Sequence, residues 1–106
     1  MIIEEIRNKI LKDEYDLSAH AHEERQAEEI TVKEIEEAIF NGEIIEEYSK
    51  DIRGKSVLVG SSSGKRALHV VCGYRGDRIL VITVYSPQPP KWLDFKTRAK
   101  ELKSRV

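Results

Sequence analysis

Apolar residues change their spacing along this chain, and the changes mark out its elements. Ile2, Ile3, Ile6 and Ile10 recur at helical intervals, which predicts an amphipathic first helix whose stripe needs a surface to dock on. The next segment, Ala19 to Glu29, is rich in helix formers but has no large apolar residue. Asp16 and Ser18 supply N-cap chemistry for it. Its smallest-residue stripe, Leu17, His20, Ala21, Glu24 and Ala27, directs His20 and Glu24 inward as an i, i+4 pair. Thr31 to Glu34 forms a capping box, followed by the core stripe Val32, Ile35, Ala38 and Ile39 and the stop Asn41-Gly42.

The period then becomes two. Glu43 to Ser49 alternates as a strand with Ile44 and Tyr48 on one face, and Val57 to Val59 makes a short second strand. Gly60 to Gly64 is a hairpin loop. Lys65 to Tyr85 has the strongest β pattern, two runs of β-branched and aromatic residues around Gly76-Asp77. A two-residue turn there sets Arg75 opposite Arg78 and His69 opposite Val84. It places His69, Val71, Gly73, Leu80, Ile82 and Val84 on the face toward the helices, and Arg66, Leu68, Val70, Cys72, Thr83 and Tyr85 on the other. Ser86 to Pro90 ends the strand, and Trp92, Phe95, Ala99 and Leu102 mark a closing basic helix. The expectation is one α+β domain over residues 1–106: N-terminal helices packed on a four-stranded antiparallel meander sheet, with a C-terminal helix.

Charge adds an asymmetry that the net value of -1 conceals. Up to Glu47 there are 15 acidic residues against 5 Lys and Arg (-10), and from Tyr48 onward 4 against 13 (+9). Either the halves attract one another in the fold, or the basic half attracts a polyanion such as RNA. The single cysteine excludes an internal disulfide. Glu4, Glu5, Arg7 and Lys9 interrupt the first apolar stripe, so neither a leader nor a membrane span is expected, and the protein is expected in the cytoplasm.

The segments YDLSAHAHEERQAEEITVKEIEEAIFNGEIIEEY, SVLVG, GKRALHVVCGY and ILVITVYSPQPPKW, in this order, resemble the DUF4258 family of small prokaryotic proteins. The most specific parts are His20-Ala21, Leu68 to Val71, and Ile82 to Trp92. The resemblance implies an α+β fold similar to RelE-like and barnase-like ribonuclease toxins, which act without metal and use the sheet face for RNA. It implies RNA and an antitoxin protein as partners.

Metal-independent RNA cleavage needs a base for the 2′-hydroxyl, an acid for the leaving 5′-oxygen and cations for the phosphate. The candidate catalytic residues are His20, Glu24 and His69, with Lys65, Arg66, Thr83 and Tyr85 as substrate contacts. The same three catalytic candidates could instead form a buried polar cluster that locks helix to sheet. No metal or other cofactor is expected, because His20-x-His22 on a helix and His69-x-x-Cys72 on a strand both diverge. Two further readings stand beside the ribonuclease. One is a non-catalytic module binding nucleic acid, or a protein or second copy through the isoleucine helix; the other is a structural domain with separated charge.

Overall fold

The structure, a computed structural model, describes residues 1–50, 54–62, 66–88, 92, 94, 96 and 97. In chain order the elements are α1 (Ile3–Leu11), β1 (Tyr15–Leu17), α2 (Ala19–Ala27), α3 (Val32–Asn41), β2 (Glu43–Tyr48), β3 (Ser56–Ser61), β4 (Leu68–Arg75) and β5 (Arg78–Tyr85). The strands form one mixed sheet in the order β1-β5-β4-β3-β2. The expected α+β class holds, but the four-stranded antiparallel meander is corrected to five strands, because β1 adds in parallel to β5. A strand of three residues is too short for periodicity to reveal. What holds it is pairing with a strand distant in sequence: Arg78 Nε donates to Asp16 Oδ2 at 2.8 Å and Arg78 Nη2 to the Tyr15 carbonyl at 3.0 Å. The expected C-terminal helix falls largely outside the described residues, and Trp92, Asp94, Lys96 and Thr97 are not helical.

The isoleucine stripe of α1 docks on its own sheet. Ile6 and Ile10 join Ile35 and Ile39 of α3 in a core with Val57, Val59, Val70, Cys72, Val81 and Val84. Helices α1 and α2 each end in a Schellman turn. Glu14 N–H donates to the Lys9 carbonyl at 2.9 Å, and Ile30 N–H to the Arg25 carbonyl at 2.7 Å. The left-handed residues in these turns are Asp13 and Glu29, at φ 57° and 55°, where glycine is usual. No helix among the described residues is long and apolar enough to cross a membrane.

Two bulges reverse part of the expected face assignment. Along the β4–β5 hairpin the register runs as expected from Arg75 opposite Arg78 to Cys72 opposite Val81, then slips, so that Val71 faces Thr83 and His69 faces Tyr85. Ile82 is the extra residue. The slip sends Thr83 and Tyr85 to the face that carries His69, and Val84 to the other. The helices cover the face of Leu68, Val70 and Cys72. His69 therefore points away from the helical layer, contrary to expectation. A second slip in β2, between Ile44 and Glu46, leaves Ile44 against the core and turns Tyr48 to the His69 face.

Gly42 closes α3 where backbones meet: a Cβ there would stand 2.4 Å from the Ala38 carbonyl oxygen and 2.7 Å from that of Gly60. Neither neighbour is a side chain that can turn aside. Gly42→Ala is expected to lower the unfolding free energy by about 1–3 kcal/mol in urea titration. The hydrogen bond from Arg78 holds the Asp16 carboxyl below its ordinary value. Its native pKa is thus depressed, so the stabilisation is complete above the unfolded value of about 3.9 and is lost as pH falls through the native one. Asp16→Asn should flatten the acid side of a plot of melting temperature against pH.

Candidate functional site

Helix α2 occupies an unusual place, along the edge of the sheet. Strand β1 ends at Leu17, and Ser18 continues it by donating its N–H to the Val81 carbonyl at 2.9 Å. Its hydroxyl accepts from Ala21 N–H at 3.0 Å as the helix cap and donates to the Ile82 carbonyl at 2.8 Å. Beyond this point no strand among the described residues neighbours β5 on that side. The Val84 N–H donates instead to Glu24 Oε1 at 3.0 Å, and the Ser86 N–H to Glu28 Oε1 at 3.2 Å. Two carboxylates one helical turn apart thus replace the carbonyls of a missing strand.

That placement decides where the helix points. Ala21 enters the core, fully buried, rather than His20 and Glu24 as the stripe suggested. His20 emerges on the opposite side, its side chain 64% exposed, with Nε2 at 3.3 Å from Glu24 Oε2. One carboxylate therefore holds a strand edge with one oxygen and an accessible imidazole with the other. His20 borders a cleft of about 730 Å³ on the sheet face away from the helices, within the usual range for ligand sites. Ser56, Val71 and Gly73 line it in mid-sheet, with Ile82 and Thr83 near His20 and with Tyr48 and Lys55 of the β2–β3 side.

His69 is elsewhere in the arrangement. It is fully buried, with Nδ1 3.1 Å from the Tyr85 hydroxyl. Its ring meets Tyr85 edge-on at a centroid distance of 5.2 Å and Trp92 at 4.4 Å. The bulge brings His69, Thr83 and Tyr85 to one face, but of the three only Thr83 lines the cleft. The expected convergence of His20, Glu24 and His69 resolves into a His20–Glu24 pair at the strand edge and an aromatic cluster around His69.

Arg66 is drawn into the architecture. Its Nη1 and Nη2 donate to the Glu28 and Glu29 carbonyls, each at 2.9 Å, and its Nε and Nη2 reach the two oxygens of Glu34, each at 3.2 Å. It clamps the end of α2, the start of α3 and the approach to β4 with one fork. Lys65 lies outside the described residues. Cys72 is fully buried, and burial pushes its thiol up to about 12, which leaves it protonated and inert. Among the described residues no group of three or more His, Cys, Asp or Glu is arranged to hold a metal.

The sequence reading missed Tyr48, Lys55, Ser56 and Gly73 as cleft residues. Gly73 did carry a signal, since glycine inside a strand marks a bulge or close approach; a Cβ there would lie 3.0 Å from Ile82 Cδ1. For Tyr48 the β2 bulge hid the face.

A family model described as a domain of unknown function, DUF4258, matches residues 17–86. No curated protein and no solved structure matches the chain. The matched span begins at the last residue of β1 and ends just past β5, so it contains the α2 edge and the His20 side of the cleft.

Because Arg66 makes its bonds through a planar fork, charge alone does not replace it. Arg66→Lys is expected to lower stability by about 1–2 kcal/mol, seen as an earlier urea midpoint with an unchanged slope.

Proposed function

The chain belongs to the DUF4258 family, and we propose that it is a metal-independent ribonuclease of toxin type whose site is the sheet-face cleft. One observation carries the reading: His20 is an accessible imidazole at the cleft border, paired with a carboxylate that a backbone N–H already fixes in place. Fixing the carboxylate fixes the imidazole, which is the arrangement a proton-transfer group needs. The face is also the one that the family resemblance assigns to RNA.

In the proposed reaction His20 takes the proton of a ribose 2′-hydroxyl, and Glu24 stabilises the imidazolium. The 2′-oxygen forms a bond to phosphorus as the bond to the 5′-oxygen breaks, giving a 2′,3′-cyclic phosphate. Water supplies the proton that the leaving oxygen takes up, and the imidazolium of His20 returns its proton to the hydroxide so formed, which restores the base. Thr83 donates to a phosphate oxygen. His69 takes no proton from substrate here; it holds Tyr85 beneath the adjoining surface. The protein works in the cytoplasm on this reading, with an inhibitory protein as its partner.

A second reading, a module that binds RNA without cutting it, is favoured by one observation. Arg66, the cation expected at phosphate, is committed to Glu34 and to helix-end carbonyls, which leaves the cleft few charges for a crowded transition state.

Purified protein incubated with total RNA in EDTA distinguishes the two. Cleavage with cyclic-phosphate ends is expected, and His20→Ala should slow it by roughly 10²–10⁴-fold, the usual contribution of a positioned acid or base. An intact wild-type reaction mixture at low and moderate salt rules out the enzyme; salt-sensitive retention of RNA in the same mixture then identifies the binding module.

A further inference from the structure

Ser18 stands where the edge of the sheet becomes a wall of the cleft, and it bonds in two directions. Toward β5, its N–H donates to the Val81 carbonyl at 2.9 Å and its hydroxyl to the Ile82 carbonyl at 2.8 Å. Toward α2, its hydroxyl accepts from Ala21 N–H at 3.0 Å and its carbonyl from His22 N–H at 3.0 Å. Successive carbonyls of a regular strand point to opposite sides. Here two in succession reach one residue, because Ile82 is the extra residue of the bulge.

The residues beside these bonds are the ones the proposed reaction uses. His20 lies in the first turn of α2, which the Ser18 hydroxyl caps. Thr83 follows Ile82, and only because of the bulge does it stand opposite Val71 on the open face. A regular ladder would turn it to the helices. Ser18, His20, Ile82 and Thr83 all line the cleft. One hydroxyl is thus the acceptor for the turn that carries the imidazole and the donor to the bulge that presents the threonine. Its single proton is committed to Ile82, so it has none to give to substrate.

We infer that Ser18 is a positioning residue of the cleft: it sets His20 and Thr83 relative to one another, so that the base and the phosphate donor meet the same scissile group. The inference rests on the ribonuclease reading and adds to it which residue fixes the spacing of the two working side chains. A drift of about 1 Å in such a spacing is worth roughly 10²-fold in rate.

Three substitutions separate the two halves of the role. Ser18→Thr keeps the acceptor and the donor, Ser18→Asp keeps the helix cap but has no proton for the Ile82 carbonyl, and Ser18→Ala has neither. The first measurement is made on the free full-length chain with labelled Val and Thr methyl groups. Side chains directly opposite have Cβ atoms about 4.5–5.5 Å apart, so wild type should show a methyl NOE between Thr83 and Val71. It should persist in Ser18→Thr and weaken in Ser18→Asp and Ser18→Ala. The second measurement is RNA cleavage. Ser18→Asp should lower kcat/KM by roughly 10²-fold, and Ser18→Thr should restore it. Thr83→Val should cost roughly 10²–10³-fold, as for one lost oxyanion donor. Adding Ser18→Asp to Thr83→Val should then cost nothing more, since both act on one contact, whereas partial unfolding would multiply the two losses. Ser18→Ala carries the same comparisons if Ser18→Asp does not fold. An unchanged Thr83–Val71 NOE in the variants without the donor, or losses that multiply, overturns the positioning role. RNA left intact by wild type sinks the ribonuclease reading instead, and the NOE still decides whether Ser18 holds Thr83 in place.

Discussion

Strand β1 covers β5 for three residues only, and past that point the backbone N–H groups of the strand would face an apolar helix layer and solvent unevenly, with nothing to receive them. An unpaired backbone donor at such a border costs about as much as a lost hydrogen bond. The chain meets this by running α2 along the edge and turning Glu24 and Glu28 toward Val84 and Ser86. The polar composition of α2, which no amphipathic pattern explains, follows from this. A helix that covers a strand edge needs acceptors on one line, a small residue such as Ala21 toward the core, and little else that is apolar.

The same arrangement produces the candidate site. With Glu24 held by the strand, the residue one turn earlier stands at the border between the edge and the open face, and in this chain that residue is His20. A carboxylate whose first task is architectural thereby orients an exposed imidazole. Catalytic and structural readings of the pair are in this sense not alternatives, since the backbone bond that secures the fold is also what limits the motion of the side chain a reaction would use. For Arg66 the two roles do compete. A guanidinium that grips two helix-end carbonyls and a carboxylate has little left to offer a phosphate.

Charge follows the same division. The acidic first half contributes Asp16, Glu24, Glu28 and Glu34, and the basic second half contributes Arg66 and Arg78, and several of these meet directly across the fold. Part of the asymmetry in the sequence is therefore internal to the molecule. Lys55, on the cleft, belongs to the part that is not.

The sequence by itself determined the three N-terminal helices and most of the strands, because capping at Ser18 and Thr31, the stripes of α1 and α3 and the turn at Gly76-Asp77 are local chemistry that neighbouring residues settle among themselves. It also determined the family, through segments whose order survives without knowledge of how they pack. The faces of the sheet were decided only in the tertiary structure. Period two is an exact rule only while the ladder is regular, and one extra residue at Ile82 and another between Ile44 and Glu46 invert everything beyond them. The slip at Ile82 goes with a contact distant in sequence, Ser18 on the Ile82 carbonyl, and the period-two pattern shows neither slip. Hence His20 and Glu24 were legible as a pair, whereas the separation of His69 from them, the attachment of Arg66 and the place of Tyr48 on the cleft were not.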